Sequence, residues 1–359
     1  MTGSARGPGR RAPVFYNPSM ALDRDLAVAV IARLREFGAP VATGWEMLSA
    51  TGVRAIRCAV EVGRFDALTL TDRDPEALRV LERNIARYPG RGLGVAARDA
   101  RVALPPPAVD WVDLDPYGTP VPFLPAAFEA LAPGGLLGVA ATDMPVLAGA
   151  SPTACERRYG SRPVRGRLGP EGGLRILLAF LERFARARGR TIRPLVAYVG
   201  DHHVRAYVRV DPRTEATPEP PIAVLEPDRW DGPWLGAGGP FGPLWVGPLF
   251  DAGFVGGLRP PATAAEPRRI GIFLDRLRAE SGADVPFYFE PNEICGREGL
   301  PTPDAPDAFV ERLRSLGHAA ARTHARPEGF RTSAPRSVVD ALARGAARSP
   351  QSQKDRVRA

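Results

Sequence analysis

Short apolar runs alternate with amphipathic stretches between residues 40 and 210. The apolar runs have the length of buried strands, whereas the longer stretches repeat their apolar residues at helical spacing. Strands separated by helices predict βαβ units and a parallel sheet covered on both faces, which is a doubly wound α/β fold. The predicted strands are residues 40–48, 67–71, 93–97, 108–114, 136–143, 193–200 and 202–210, and the predicted helices are residues 53–64, 75–88, 122–132 and 172–189.

A different pattern follows this alternation. Residues 211–261 are rich in Pro, Gly and Trp with little periodicity, which predicts a loop-rich connection. The rest predicts a smaller α+β domain, with helices at 267–281, 304–317 and 335–349 and strands at 285–294 and 318–325. We divide the chain into a flexible basic arm (1–13), a first domain (14–250, with 211–250 as the connection), a second domain (251–348) and a polar tail (349–359).

Composition limits the class of protein. The 359 residues are 44% hydrophobic, which is enough for a packed core. No apolar stretch is long enough to span a membrane and no secretory signal is evident, so membrane association is not expected. Cys58, Cys155 and Cys295 are far apart, which argues against a disulfide scaffold and a zinc knuckle. These features favour the cytoplasm.

Positive charge is concentrated in two segments. The formal net charge is +8, and Lys354 is the single lysine among 48 basic residues. Residues 311–359 hold ten arginines and one lysine against four acidic residues, and residues 156–167 hold five arginines against one glutamate. Clustered positive charge is typical of proteins that bind a polyanion, although solvated basic faces are also common.

The turn after the first predicted strand, SATGVR at 49–54, has one glycine, Gly52, of a full G-x-G-x-x-G. The stronger indication is Asp72, which ends the next strand, because an acidic residue there accepts hydrogen bonds from a ribose. This arrangement suits NAD and S-adenosylmethionine equally. Asp99, after the third strand, lies where an adenine amino group needs an acceptor. The alternatives are a helix cap or turn for Asp72 and an ordinary loop position for Asp99.

An Asp-Pro-Tyr sequence follows the fourth predicted strand, in DLDPYG at 113–118. It resembles the (D/N/S)-P-P-(Y/F) signature of amino-methyltransferases. The lone pair of a nucleobase amine is conjugated into the ring, which makes the amine a poor nucleophile. A carboxylate such as Asp115 can accept hydrogen bonds from the N–H groups and receive the displaced proton. The Tyr117 ring suits stacking on an extracted base. The alternative is a β-turn, because D-P-Y-G is also a good turn sequence.

Nine segments, spread over both predicted domains, resemble one family. This family is the tRNA guanine-26 N2-dimethyltransferases, and the resemblance covers most of residues 14–340. The segments are VFYNPSMALDRDL (14–26), SATGVRAIR (49–57), DLDPYGTP (113–120), TDMPVLAG (142–149), ERRYG (156–160), DHHVRAYVRV (201–210), GPLWVGPLFDAGFV (242–255), PFYFEPNEIC (286–295) and RTHARPEGFRTSAP (322–335).

The resemblance implies a Rossmann-like class I methyltransferase domain joined to a tRNA-binding domain. It implies that S-adenosylmethionine is the methyl donor and that N2 of guanine 26 in tRNA is the acceptor, giving mono- and dimethylated products. The expected partner is therefore tRNA, and we expect a monomer.

The resemblance also implies roles for individual residues. Asp115 would be the catalytic carboxylate, with Phe15 and Tyr117 on the two sides of the guanine. The cofactor would be held at its methionine end by Arg24 and Arg54, at its ribose by Asp72, and at its adenine by Asp99 and Ala100.

Two departures from the family pattern are visible. Asp23 stands where the family commonly has Asn, next to Arg24. Many members carry a four-cysteine zinc site between the domains, but residues 211–261 contain no Cys, so no metal is expected. We expect Trp230, Trp234 and Trp245 to pack that region instead.

Two other functions stay open at this point. An adenine-N6 methyltransferase acting on DNA or RNA would share the fold and the D-P-Y sequence. A catalytically inactive RNA-binding protein would retain only the fold. His202 and His203 are expected in structural roles, and Cys155 is not expected to attack a base, because Asp115 and Tyr117 suit an amine.

Overall fold

The computed structural model describes residues 14–38, 41–104, 107–301 and 304–347. The predicted basic arm, residues 1–13, and the polar tail, residues 349–359, lie outside the described residues. Within these ranges, no helix is both long and apolar enough to cross a membrane.

A seven-stranded sheet forms the centre of the molecule. Its strands are β1 Thr43–Glu46, β2 Ala67–Asp72, β3 Leu93–Ala97, β4 Val109–Leu114, β5 Leu131–Ala141, β6 Arg190–Val199 and β7 Val204–Pro212. The order is β3-β2-β1-β4-β5-β7-β6. The first five strands pair in parallel, whereas β7 runs antiparallel to both of its neighbours. The sheet confirms the predicted α/β fold and reverses its strand order beside β1.

Helices connect these strands. They are α1 Ala21–Glu36, α2 Val53–Arg57, α3 Pro75–Ile85, α4 Leu124–Ala130, α5 Met144–Leu147, α6 Pro152–Tyr159 and α7 Gly169–Arg186. Pro75 occupies the first turn of α3, and the Asp74 carboxylate caps it by accepting a hydrogen bond from the Glu76 N–H. The predicted helix at 53–64 is divided, because α2 continues as a wider π-helical turn over Cys58–Val62.

Gly52 makes the turn between β1 and α2 possible. Its φ is 69°, a left-handed conformation that glycine adopts at little cost. A Cβ at this position would lie 2.6 Å from Leu81 Cδ2 and 2.7 Å from Leu70 Cδ2. Glycine is therefore required both by the backbone conformation and by the packing of the turn against β2 and α3.

The connection after β7 contains more regular structure than its sequence predicts. β8 Ile222–Leu225 and β9 Phe241–Trp245 form a two-stranded antiparallel sheet, and α8 Ala252–Gly256 follows. Trp245 is buried, and Trp230 packs edge-on against Phe287. Trp234 is 45% exposed, so the expectation that it packs this region is wrong.

The last part of the chain is α+β, as predicted. Its elements are α9 Pro267–Ser281, α10 Pro291–Glu298, α11 Pro306–Ser315, β10 Ala320–Arg322, β11 Phe330–Thr332 and α12 Arg336–Ala347. The predicted strand at 285–294 is wrong. Phe289 makes a single bridge to Phe330, and Pro291 then begins α10, because proline fits the first turn of a helix.

Two main hydrophobic cores hold these elements together, beside a small cluster of Val14, Ala77 and Val80. The larger core surrounds the central sheet and also takes up side chains from α8 and α9, as far along the chain as Tyr288. The smaller core extends from Phe289 to Ala343. The larger core therefore extends past the predicted domain boundary at residue 250, whereas the last part of the chain has a core of its own.

A buried network of charges also joins the two parts. Arg331 on β11 lies 2.8 Å from Glu171 of α7 and pairs with Glu280 of α9. All three side chains are fully buried. His324 Nε2 accepts a hydrogen bond of 3.0 Å from the Val199 N–H of β6, so its Nδ1 donates to Glu280, at 2.6 Å. The network fixes the second part of the chain against the sheet.

Candidate active site

Most of the predicted site residues gather at the carboxyl edge of the sheet. The loops that follow parallel strands meet at this edge, and doubly wound folds bind their ligands there. β1 ends at Glu46, β2 at Asp72 and β4 at Leu114. The predicted residues brought together there are Phe15, Arg54, Asp72, Asp115 and Tyr117.

Two arginines hold Asp115. Arg54 Nη2 lies 2.5 Å from Asp115 Oδ2, and Arg54 Nη1 lies 2.6 Å from Asp113 Oδ1. Arg205, on β7, contacts Asp113 and approaches Asp115 Oδ2 to 3.5 Å. Asp113 and both arginines are buried, so solvent and salt screen these charges weakly. The two arginines, themselves held by Asp113, fix the position of the Asp115 carboxylate.

The same charges keep Asp115 ionised. Burial alone would raise the pKa of a carboxyl group, but the positive charges of Arg54 and Arg205 hold the pKa of Asp115 below its usual 3.8. The Asp115 side chain is 23% exposed, whereas that of Asp113 is 1% exposed. Asp115 is therefore the carboxylate of this cluster that a substrate amine can reach.

The loop that carries Asp115 and Tyr117 is fixed from β5 and α6. The Gly118 N–H donates to Thr142 Oγ1 at 2.6 Å, and the Thr142 N–H donates to the Gly118 carbonyl at 2.9 Å. Tyr159 of α6 donates its hydroxyl hydrogen to the Asp143 carboxylate at 3.0 Å. Because that hydrogen is used, the Thr119 hydroxyl donates to the Tyr159 oxygen, at 2.8 Å.

Phe15 and Tyr117 form an aromatic pair beside this loop. Their ring centroids lie 4.9 Å apart with an interplanar angle of 74°, which is an edge-to-face contact. Phe15 is 41% exposed and Tyr117 is 74% exposed. The structure therefore brings together the two rings that the resemblance implies on either side of a base.

Arg24 lies in the first turns of α1. It is buried, and its Nη1 donates to the Asn17 carbonyl at 3.0 Å. The neighbouring Asp23 accepts hydrogen bonds from the Tyr198 hydroxyl at 2.6 Å and from His203 Nε2 at 2.7 Å. These bonds outweigh the effect of burial and lower the pKa of Asp23 to about 2. His203 is buried in this pair, as expected of a structural histidine.

The predicted adenosine residues have different surroundings. The Asp72 carboxylate accepts hydrogen bonds from the N–H groups of Arg73, Asp74 and Ala50, so it ties the end of β2 to the turn after β1. Asp99 is paired with the exposed Arg101, whose hydrogen bonds hold the pKa of Asp99 well below its usual value. The adjacent Ala100 is buried.

Three residues of the site were missed in the sequence. Asp113 stands two positions before Asp115, which indicates the same edge of the sheet. Arg205 lies in DHHVRAYVRV, one of the segments that resemble the family, but no pattern in that segment indicates its contact with Asp113. Glu46 ends β1 and is buried, and burial raises its pKa to about 8. Its Oε2 atom has no hydrogen-bond partner among the described residues.

The surroundings of Cys155 do not favour a cysteine nucleophile. Cys155 is buried, and burial raises the pKa of its thiol to about 12, so a thiolate is suppressed. No group of three or more His, Cys, Asp or Glu side chains is arranged to hold a metal ion in the parts of the chain that the structure describes.

Comparison with known families shows to which family this chain belongs. The family model of the N2,N2-dimethylguanosine tRNA methyltransferases matches residues 8–219 and 237–344. The chain belongs to this family. Every candidate site residue lies within the matched ranges, whereas residues 220–236, in the connection, lie outside them.

Full-length relatives agree with this assignment. A tRNA (guanine(26)-N(2))-dimethyltransferase of Thermococcus kodakarensis is 35% identical, and the match covers 91% of this chain and 92% of the relative. One from Pyrobaculum aerophilum is 37% identical, with 89% and 86% covered. A solved structure of Trm1 from Pyrococcus horikoshii with S-adenosyl-L-methionine has a TM-score of 0.78 at 29% identity, with 93% and 95% covered. The family resemblance seen in the sequence is confirmed.

The residues of this methyltransferase fit a cofactor with a ribose and a charged amino-acid end. The Asp72 carboxylate is half-buried at the strand end where such folds bind a ribose. Two buried polar atoms beside the turn at 49–54, Glu46 Oε2 and Arg54 Nε, have no partner among the described residues. Buried polar atoms of this kind are normally satisfied, and a polar ligand at this edge would satisfy them.

Proposed function

We propose that this protein transfers methyl groups from S-adenosylmethionine to N2 of guanine 26 in tRNA, giving N2-methyl- and N2,N2-dimethylguanosine. The observation that carries the proposal is the Asp115 carboxylate, which two arginines hold ionised beside an exposed aromatic pair. The family of the chain supports the substrate and the cofactor.

Asp115 supplies what an exocyclic amine lacks. S-adenosylmethionine, when bound, provides the methyl group on a sulfonium and so makes it electrophilic. Asp115 accepts a hydrogen bond from the N–H group of N2, which orients the amine and localises its lone pair. The amine becomes strongly acidic as the new bond to carbon forms. A carboxylate of low pKa is then a sufficient acceptor for its proton, and Arg54 keeps that carboxylate charged until then.

Phe15 and Tyr117 hold the base in this proposal. The guanine leaves its stack in the tRNA, at a cost of a few kcal/mol. Stacking on the two rings repays part of this cost and presents the edge of the base that carries N2 to Asp115. The bonds from Thr142 and Tyr159 fix the loop against which the base is pressed.

The cofactor is assigned to the remaining candidate residues. Asp72 receives the ribose, Asp99 and Ala100 receive the adenine, and Arg24 and Arg54 lie at the methionine end. Arg54 already contacts Asp113 and Asp115 through its terminal nitrogens, which leaves Nε for a further contact. Asp99 would have to give up part of its pairing with Arg101 to accept an adenine amino group.

We assign the remaining properties on the same basis. The chain divides at about residue 250 into a methyltransferase domain and a domain that contributes to tRNA binding. It acts as a monomer in the cytoplasm and needs no metal. A metal analysis that found one zinc per chain would overturn the last assignment.

Methyl transfer to defined tRNAs tests the function. Labelled S-adenosylmethionine and an unmodified tRNA transcript should give N2-methylated guanosine on nucleoside analysis, and a transcript with adenine at position 26 should give none. Label on adenine would favour the adenine-N6 alternative. Cofactor binding without methylation of any tRNA would leave the substrate unassigned, and loss of cofactor binding would favour an inactive RNA-binding protein.

A further inference from the structure

Net charge suggests that the end of the chain binds the polyanion, but its arginines up to residue 347 are engaged within the protein. Every described arginine from residue 311 to residue 347 has a partner. Arg312 pairs with Asp304, Arg314 donates to the Ala320 carbonyl, Arg322 pairs with Asp307, Arg326 lies near Glu290 and Glu328, Arg331 pairs with Glu171 and Glu280, Arg336 donates to the Trp230 and Gly232 carbonyls, and Arg344 pairs with Glu298.

The second basic segment, at 156–167, is different. Arg157, Arg162 and Arg165 are exposed. Arg157 and Arg165 have no hydrogen-bond or ion-pair partner among the described residues, and Arg162 donates one bond of 3.1 Å to the Gly239 carbonyl. We call these three side chains the α6 surface. Glu156 is the single acidic residue of the segment, so the positive charge here is largely uncompensated.

The α6 surface adjoins residues that hold the loop of Tyr117. Arg158, the chain neighbour of Arg157, lies 2.6 Å from the Asp143 carboxylate, and Tyr159 joins Asp143 to Thr119, two residues after Tyr117. A phosphate bound on this surface would therefore belong to backbone near the extracted base.

A groove continues this surface on the other side. Residue Arg162 bridges to Gly242 of β9, which places the segment beside the loop between β8 and β9. A groove at that loop, which we call the Trp234 groove, has a volume of about 700 Å³. It is lined by Trp230, Trp234, Arg229 and Arg336, together with Asp228 and Asp231. Asp231 accepts a hydrogen bond of 3.2 Å from the Arg336 backbone N–H. An exposed tryptophan beside arginines suits stacking on an unpaired base.

We propose that the α6 surface and the Trp234 groove bind the substrate tRNA. Arg157, Arg162 and Arg165 contact phosphates beside the extracted guanine, and Trp234 stacks on a second, unpaired base. The inference rests on the proposed function, because it takes tRNA as the substrate. Trp234 lies within residues 220–236, which the family model does not match, so membership of the family does not by itself imply this contact.

The test compares three variants of the full chain. The double variant Arg157→Ala/Arg165→Ala removes two unpartnered charges from the surface. Trp234→Ala removes the exposed ring, and Arg213→Ala is the matched control. Arg213 is exposed and follows β7, whose end lies at the opposite edge of the sheet from the candidate site. For each we would measure the Kd for tRNA at several salt concentrations, the KM and kcat for methylation, and the Kd for S-adenosylmethionine.

The expected results separate the two contacts. The double variant should bind tRNA roughly tenfold more weakly, with the slope of log Kd against log salt reduced by about 1.5 to 2. Trp234→Ala should bind roughly five- to tenfold more weakly with an unchanged slope, because stacking releases no counterions. Both should raise KM for tRNA and leave cofactor binding unchanged.

Binding by both variants at the level of Arg213→Ala would overturn the inference. So would a loss that appears only in kcat, because the α6 surface would then act on the loop and not on the RNA. Failure of the proposed function is a separate result, since it would show as wild-type protein that binds tRNA and forms no N2-methylguanosine.

Discussion

Phe15 and Tyr117 touch each other edge to face, with centroids 4.9 Å apart. A base stacked between two parallel rings needs about 7 Å between them, twice the contact distance of about 3.5 Å. In the proposed function, the two rings would therefore have to separate and turn towards parallel as the guanine enters. The sandwich that the family resemblance implies is not formed in this structure, so the base itself would have to assemble it.

Removal of either ring should weaken the methylation of tRNA. Phe15→Ala and Tyr117→Ala should each lower kcat/KM by roughly 5- to 150-fold, which corresponds to a stacking energy of about 1–3 kcal/mol per base. Tyr117→Phe should stay near wild type, because the ring and not the hydroxyl does the stacking. Phe37→Ala, at the exposed end of α1, is the control in the same kinetic assay. Equal kcat/KM for Phe15→Ala and Phe37→Ala would contradict the assignment.

Asp115 should govern turnover and not cofactor binding. Asp115→Asn keeps the shape of the side chain but cannot take the proton, so kcat should fall by roughly 10²- to 10⁴-fold. The Kd for S-adenosylmethionine, measured by calorimetry, should change little. Asp211→Asn, at the far end of β7, should keep wild-type kcat.

The pH profile gives a further check on Asp115. Because Arg54 and Arg205 hold its pKa below 3.8, Asp115 should remain ionised from pH 5 upwards. The kcat should then show no acid limb from this group above pH 5. An acid limb near pH 6 in the wild-type protein that disappears in Asp115→Glu would contradict this account.

Removal of the Arg24 side chain should weaken the binding of S-adenosylmethionine. Arg24→Ala should raise the Kd for S-adenosylmethionine about tenfold or more, because a buried cation that pairs with a carboxylate contributes about 1.5–3 kcal/mol through its hydrogen bonds. Arg33→Ala, nearer the other end of α1, is the control. An unchanged Kd in Arg24→Ala would remove this residue from the site.

Glu46 should make the stability of the protein depend on pH. Its pKa is raised from 4.5 to about 8, so the folded state holds a proton there that the unfolded state releases. The contribution of Glu46 to the free energy of unfolding should therefore be highest below pH 4.5. It should fall as the pH rises towards 8, by up to about 1.4 kcal/mol per pH unit. Glu46→Gln should remove this decline in urea unfolding between pH 5.5 and 8.5. Glu36→Gln should retain it, and a wild-type slope in Glu46→Gln would exclude Glu46 as the cause.

Arg331 should hold the two parts of the chain together. Arg331→Met leaves Glu171 and Glu280 buried without their shared cation, which should cost about 3–5 kcal/mol of unfolding free energy. Arg326→Met removes a half-exposed arginine whose acidic neighbours lie 3.5 and 3.6 Å away, and should cost less than about 1 kcal/mol. Denaturant titrations would measure both, and similar losses in the two variants would show that the buried network contributes no special stability.

Local patterns in the sequence were sufficient for most of the fold and for part of the site. The spacing of apolar residues predicted all seven strands of the central sheet, because buried strands and amphipathic helices differ in period. The predicted alternation of strands and helices also places Asp72 and Asp115 after parallel strands, and hence at the same carboxyl edge of the sheet. Local sequence misled at 285–294, where the consecutive aromatic residues Phe287, Tyr288 and Phe289 suggest a buried strand but Pro291 begins a helix.

Contacts between distant residues were decided by the tertiary structure alone. The sequence determined that the chain is basic at its end. The fold brings Asp304, Asp307 and Glu298 to Arg312, Arg322 and Arg344, and it gives Arg157 and Arg165 no partner within the part of the chain that the structure describes. Arg205 lies beside Asp113 because β7 inserts between β5 and β6, an event that no local pattern records. Electrostatic energy depends on separation in space, and only the folded chain sets which charges are near enough to change one another's ionisation.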